Sequence, residues 1–177
     1  MIKHFLRKGI KVIVEKPPVI VMSDFYDLQD EDVNVVLQLR YHDEMKELKQ
    51  KAKAGNCKVE MNIRVKRDQS YWDDWKGDRV RSGGILFNLG IHYIDALLHC
   101  FKGEYKVHDF NVTDSLARVD MNIGTNQVKL NIQIMPDNVS QTREIIVDGK
   151  KFQFSCQDNL AFEGLHTKVY KEILAGK

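Results

Sequence analysis

The chain has 177 residues, 43% hydrophobic and 29% charged, with a net charge of +2 and a mean hydropathy of -0.40. That length suffices for one domain with a real core. Charges of both signs alternate along most of the chain, which argues against a nucleic-acid or membrane-surface partner. The three cysteines, Cys57, Cys100 and Cys156, lack metal-ligand spacing. They are expected to be free buried thiols in a reducing cytoplasm, with no metal site. The apolar run after Lys3, Arg7 and Lys8 is too short for a signal-peptide core. The most apolar stretch, 85–101, is a poor membrane span because it contains Asn88, His92, Asp95 and His99.

Residues 2–9 read as a helix end stopped by Gly9. A short buried strand is expected at 11–14, and Pro17 and Pro18 forbid its continuation. The acidic stretch 24–32 reads as a short helix or loop. A strand at 33–39 and an amphipathic helix at 43–54, closed by Gly55, follow. Alternation predicts a strand at 57–65, and the charged, aromatic stretch 67–81 predicts an ordered loop. Residues 84–101 are apolar nearly all round, which predicts one long buried helix. Period-2 patterning then gives strands at 106–112, 116–123, 127–135, 142–147 and 151–155. Turn chemistry separates them: Gly124-Thr125-Asn126, Pro136-Asp137-Asn138, and Asp148-Gly149 for a tight hairpin. A short helix closes the chain at 166–174. The fold class expected is α+β: a mainly antiparallel open sheet with a long buried helix, preceded by a lone strand that resembles the last piece of a βαβ array.

Two stretches can carry chemistry. In Glu15-Lys16-Pro17 a lysine at the carboxyl end of a strand points into the crevice where open α/β sheets bind ligands. The plainer alternative is a surface Glu-Lys pair at a strand exit. The second stretch is "SGGILFNLGIHYIDALLH" from Ser82 to His99. Ser82 can cap the helix, and Gly83-Gly84 allow close backbone approach. Asn88 and His92 lie four apart on one face, with Asp95 three further on to orient the imidazole, a usual general base near neutral pH. The alternative is a polar stripe satisfied inside the core.

Together, EKP and SGGIL-x-N-x-G-I-H-x-x-D resemble the Gfo/Idh/MocA family of NAD(P)-dependent oxidoreductases over nearly the whole chain. The resemblance implies that Lys16 and His92 are catalytic, His92 taking the proton from the hydroxyl being oxidised. It implies cofactor contacts at Glu15, Lys16 and Pro17, and at Trp75-Lys76, which stands where many members have Trp-Arg. Asn88 replaces the family's usual aspartate. With "LQLRYH" at 37–42 and the C-terminal "EGLHTKVYKEILAGK", it resembles the UDP-N-acetylglucosaminuronate 3-dehydrogenase branch, which oxidises a sugar C3 hydroxyl in O-antigen synthesis. Asn88, Arg40, His42 and Arg81 are then the substrate-binding candidates, because arginine's planar fork suits phosphate and carboxylate. Arg79 is more simply read as a solvated surface charge.

The sequence departs from the family pattern twice. It carries no G-x-G-x-x-G, and the stretch between Pro18 and Val33 is shorter than the family's. The organisation expected is therefore a dinucleotide-domain remnant at 1–18 and a substrate, catalytic and oligomerisation domain at 19–177. The cofactor is NAD or NADP, bound weakly or not at all by this chain alone. Expected partners are further copies of the chain through the sheet face, a sugar nucleotide, and a separate Rossmann-containing chain. The reading from another class is a non-catalytic oligomerisation or sugar-nucleotide-binding module, or a truncated inactive product.

Overall fold

The computed structural model describes residues 2–26, 28, 32–135, 139–154 and 163–176. The expected Pro136-Asp137-Asn138 turn, Cys156, and the end of the strand at 151–155 lie outside the described residues.

The opening helix α1 (Ile2–Leu6) ends before Gly9, which has φ 69. Strand β1 (Val12–Val14) pairs in parallel with β2 (Val33–Val35), so the pairing crosses from residues 1–18 to residues 19–177. Between them lies α2 (Met22–Tyr26). β1 is less buried than expected: Ile13 is 39% exposed, because the strand belongs to a two-stranded ribbon rather than to the interior of a sheet. β2 is also shorter than its apolar pattern predicts. After Val35 the chain tightens into a 3₁₀ turn at Gln38–Tyr41, where Val36 and Leu39 are buried.

Helix α3 (Glu44–Ala52) buries Met45, Leu48 and Ala52 on one face. Strand β3 (Lys58–Lys66) alternates as expected, with Val59, Met61, Ile63 and Val65 inward. The expected loop at 67–81 contains two short helices, α4 (Gln69–Asp73) and α5 (Arg79–Ser82). Their caps explain them: Asp68 accepts from the Tyr71 N–H, and Asp78 from those of Val80 and Arg81. Ser82 is buried, and its Oγ accepts from the Gly84 N–H at 3.1 Å, close to its expected capping role.

The expected single helix is divided into a π-helical turn, Leu86–Gly90, and α6 (Ile91–Cys100). Such turns are rare and concentrate at functional sites. Gly90 allows the helix to lie close on the sheet, since a Cβ there would sit 2.6 Å from Ile132 Cδ1. α6 is not buried all round. Tyr93, Ala96, Leu97 and Cys100 are buried, but Leu98 is 41% exposed.

Strands β4 (Tyr105–Val112), β5 (Leu116–Ile123), β6 (Asn126–Met135), β7 (Thr142–Val147) and β8 (Lys150–Gln153) complete a six-stranded sheet in the order β4-β5-β6-β3-β7-β8. Every pair is antiparallel except β3–β6, which is parallel with Ile63 beside Ile132. At the β7–β8 hairpin Asp148 and Gly149 both have positive φ, 48 and 83, as the tight turn requires. The inner face of the sheet meets α3 and α6 in one core. Each fully buried side chain of the Ile63, Leu97, Ile132 kind contributes about 1.5–3 kcal/mol there. The outer face is polar, with Glu60, Arg64, Arg118, Asp120 and Lys129 exposed. The alternation at 130–135 is therefore cleaner than its composition suggests, because Leu130 and Ile132 are both buried inward. Helix α7 (Glu163–Leu174) closes a smaller cluster through Val169 and Ile173 on Val36.

Among the described residues no helix is long and apolar enough to cross a membrane.

Candidate active site

Four segments distant in sequence converge on a cavity of about 250 Å³. Lys16 enters from the end of β1, Asn88 and His92 from the π-turn and α6, and Arg67 and Arg143 from β3 and β7, with Tyr93 as a side wall. Ile63, Val65 and Leu89 supply its apolar surface.

Lys16 is half-buried, and its Nζ donates to the backbone carbonyl of Asn88 at 2.6 Å. Burial lowers its pKa most, and the charges of Arg67 and Lys76 lower it further, against an opposing effect of Glu15. The Lys16–Pro17 peptide is cis. The Asn88 amide is buried and donates from Nδ2 to the Tyr71 hydroxyl at 3.0 Å and to the Lys76 carbonyl at 3.1 Å. Asn88 thus ties together the loop bearing Trp75 and Lys76, the π-turn, and Lys16. An aspartate there could not donate to the Lys76 carbonyl.

The His92 pKa is lowered from 6.5 to about 3, first by burial and then by the charges of Lys16 and His166. The imidazole is therefore neutral at pH 7. Its Nδ1 is buried without a hydrogen-bond partner, leaving Nε2 as the nitrogen open to the cavity. The expected Asp95–His92 contact is absent. Both Asp95 oxygens face Arg40 instead, accepting from Nε at 2.8 Å and from Nη2 at 2.5 Å. The cause is a competing partner: Arg40, on the 3₁₀ turn at Gln38–Tyr41, takes both carboxylate oxygens in a bidentate pair.

The remaining sequence candidates lie elsewhere. Arg40 borders a groove beside β2 and α7. His42 packs on Phe154, ring centroids 5.1 Å apart, and burial lowers its pKa. Arg79 and Arg81 are exposed on α5. Glu15 lies 3.8 Å from His166, an ion pair when that histidine is protonated. Pro17 is half-buried, and Trp75 is 39% exposed. Sequence reasoning missed Arg67, Tyr71, Tyr93 and Arg143. Only Arg143 had a clear signal: it falls in phase with inward-facing Ile145 and Val147, an arginine at a core position.

Lowered basicity at His92 makes folding pH-dependent. Between pH 6.5 and about 3 the unfolded chain binds a proton that the native imidazole refuses, so stability should fall as pH drops through that window. The slope from this group is up to about 1.4 kcal/mol per pH unit. Urea unfolding between pH 7 and pH 4 should show a shallower fall for His92→Gln than for the parent. Equal dependence in both would exclude His92 as the source.

A model of the GFO/IDH/MocA C-terminal domain matches residues 25–125, more than half the chain. The chain belongs to the Gfo/Idh/MocA family through that domain. The WlbA (WbpB) dehydrogenase from Thermus thermophilus is similar to it in two complexes. With NAD and alpha-ketoglutarate the TM-score is 0.85 at 29% identity, and with NAD and UDP-GlcNAcA it is 0.84 at 30% identity. In both, the alignment covers 99% of this chain and 61% of that chain. The UDP-N-acetylglucosamine 3-dehydrogenase GnnA from Acidithiobacillus ferrooxidans has a TM-score of 0.68 at 14% identity. That alignment covers 99% of this chain and 65% of the other, and its likeness concerns the fold alone.

Proposed function

We propose that the chain is the substrate and catalytic domain of an NAD-dependent sugar-nucleotide dehydrogenase, oxidising the C3 hydroxyl of UDP-N-acetylglucosaminuronate or a close relative. The observation that carries the reading is one cavity bordered by both the Lys16 ammonium and the neutral His92 imidazole. The likeness to a dehydrogenase crystallised with NAD and UDP-GlcNAcA supports it.

The chain's own groups divide the work as follows. His92 accepts the hydroxyl proton at the nitrogen open to the cavity. Lys16, steadied by the Asn88 carbonyl, donates to the same oxygen as negative charge develops on it. Ile63, Val65 and Leu89 keep the wall dry, which strengthens both effects. NAD, when bound, supplies the hydride acceptor. The residues present fit only its reactive end, through Lys16, Pro17 and the Trp75-Lys76 loop.

On this reading residues 1–18 carry the last Rossmann strand, and NAD binds weakly to these 177 residues alone, because they contain no glycine-rich phosphate turn. Calorimetry giving a Kd near 1 μM, about -8 kcal/mol, would contradict the second point. We place the protein in the cytoplasm, which suits the free thiols of Cys57 and Cys100. A role in O-antigen synthesis follows from the same substrate.

Self-association through the outer sheet face belongs to the proposal too. Glu60 and Asp120 there are balanced by Arg64, Arg118 and Lys129, a mixture that a two-fold interface can pair. Sedimentation should give a dimer or larger, and a monomer at high concentration would count against it. For the activity itself, the chain joined to a related dinucleotide-binding domain should reduce NAD in the presence of UDP-N-acetylglucosaminuronate. A folded chimera that binds this substrate without turning it over would favour the non-catalytic module.

A further inference from the structure

The 3₁₀ turn at Gln38–Tyr41 carries a second polar atom in the condition of His92 Nδ1. Gln38 is 5% exposed, and its Oε1, like that Nδ1, is buried with no hydrogen-bond partner among the described residues. Buried polar atoms are nearly always paired, so two exceptions close together have a common explanation. The two are complementary: Oε1 only accepts, and Nδ1 donates whenever the neutral ring keeps its proton there. They also stand on elements that pack together, since the 3₁₀ turn meets both α6 and α7.

Anchors on either side of Gln38 bring it alongside His92. The Val36 N–H donates to the Val14 carbonyl at 2.9 Å, two residues before Lys16. Arg40 is held on α6 by both oxygens of Asp95. Residues 36–40 therefore run from the Lys16 end of the cavity to Asp95. His92 lies between the same two points, bordering the cavity with Lys16 and preceding Asp95 by about one helical turn. Gln38 is the middle residue of that span. Helix α7 closes the arrangement: Val36 packs with Val169 and Ile173, and the charge of His166, about one turn before Val169, reaches His92.

We infer that Gln38 is a positioning residue for His92: its Oε1 accepts from Nδ1–H and so keeps the lone pair of Nε2 directed into the cavity. This rests on the reading of His92 as the base of the proposed dehydrogenase. A rotation of either side chain completes the bond and satisfies both buried atoms at once. The ring then holds its proton on the buried side, and Nε2 receives the proton of the hydroxyl. Afterwards both ring nitrogens carry hydrogen, and Gln38 still accepts from Nδ1. The ionisable groups around His92 are Lys16, Arg67, Arg143 and Tyr93 in its cavity, and His166 on α7 with Glu15 beside it. The three cations carry only donors and cannot replace the Gln38 carbonyl. Asp95, on the same helix as His92, is taken by Arg40.

Long-range proton–nitrogen NMR spectra of the 177-residue chain read the tautomer without substrate or cofactor, and His92→Gln identifies the signals of that ring. At pH 7 the His92 ring should carry its proton on Nδ1 and none on Nε2. Gln38→Met, which keeps most of the volume but offers no strong acceptor, should shift the ring toward the Nε2–H form. Gln38→Glu should keep Nδ1–H and raise the pH at which His92 titrates, because a carboxylate favours the imidazolium. In the chimera with a related dinucleotide-binding domain, Gln38→Met should lower kcat about 10–100-fold, the range for partners that orient a functional imidazole, with KM nearly unchanged. Circular dichroism establishes that each variant is folded. An Nε2–H ring in the parent, or a tautomer that Gln38→Met leaves unmoved, overturns the inference. A tautomer that shifts while kcat holds overturns the positioning role. A parent chimera without turnover removes the dehydrogenase reading instead, and the tautomer then decides by itself whether Gln38 and His92 are paired.

Discussion

His92→Ala is expected to lower turnover by about 10²–10⁴-fold, the usual range for a general base, in a chimera with a related dinucleotide-binding domain acting on UDP-N-acetylglucosaminuronate. The imidazole is neutral at pH 7 and has a nitrogen open to the cavity, so it can receive a proton without first losing one. A pKa as low as about 3 makes it a weak base while the cavity is empty. Its burial and the neighbouring Lys16 charge cause that weakness, and an anionic substrate offsets the second cause. Lys16→Ala should do comparable damage, because in the proposed mechanism its ammonium donates to the oxygen on which charge develops. Both losses should fall on kcat more than on KM, since the interactions strengthen in the transition state. Asp95→Asn tests the corrected geometry. Asp95 binds Arg40 rather than His92, so its loss should leave kcat near normal and affect folding modestly, as for a half-exposed ion pair. Near-normal turnover in a folded His92→Ala chimera would return that helix to a purely structural role.

The strands were legible because each has one buried face. Leu116–Ile123 and Thr142–Val147 coincide with their expected bounds, and the Asp148-Gly149 turn follows from its need for positive φ at two successive residues. Pairing was not legible. The parallel β3–β6 contact joins Ile63 to Ile132 across the whole intervening helix and hairpin, and period-2 alternation is the same for either direction. The π-turn also escaped, because Asn88 and His92 look the same in sequence whether the helix winds with 3.6 residues per turn or locally more. At the site, the lysine and histidine could be read from their motifs, since each lies at the end of a strand or on a buried helix. The two arginines could not be read so easily. Arg67 is one charge among many in a polar stretch, and only its fold-dependent approach to Lys16 distinguishes it. Arg40 and Asp95 illustrate the converse, two plausible functional residues that satisfy each other.

The largest stability loss is expected from Phe154→Ala, at about 3–5 kcal/mol. Phe154 is 2% exposed and follows the edge strand β8. Its ring packs against Tyr93 at 6.4 Å and His42 at 5.1 Å, and its N–H donates to the Arg143 carbonyl at 2.9 Å. A truncated side chain therefore leaves a hole between the core and the wall of the cavity. The neighbours can relax into it only partly: Tyr93 is fixed on α6, and the backbone of residue 154 is fixed to β7. Thermal unfolding should shift down on the order of 10 °C for a domain of this size, whereas Phe154→Leu, which keeps most of the volume, should cost roughly 1 kcal/mol. The site should respond as well, because Tyr93 and the Arg143 backbone both border the defect. Binding of UDP-N-acetylglucosaminuronate by Phe154→Ala, measured well below its melting temperature, should weaken. A loss in denaturant midpoint equivalent to less than about 1 kcal/mol would show that Phe154 fills no essential space, and that the wall of the cavity holds its shape without it.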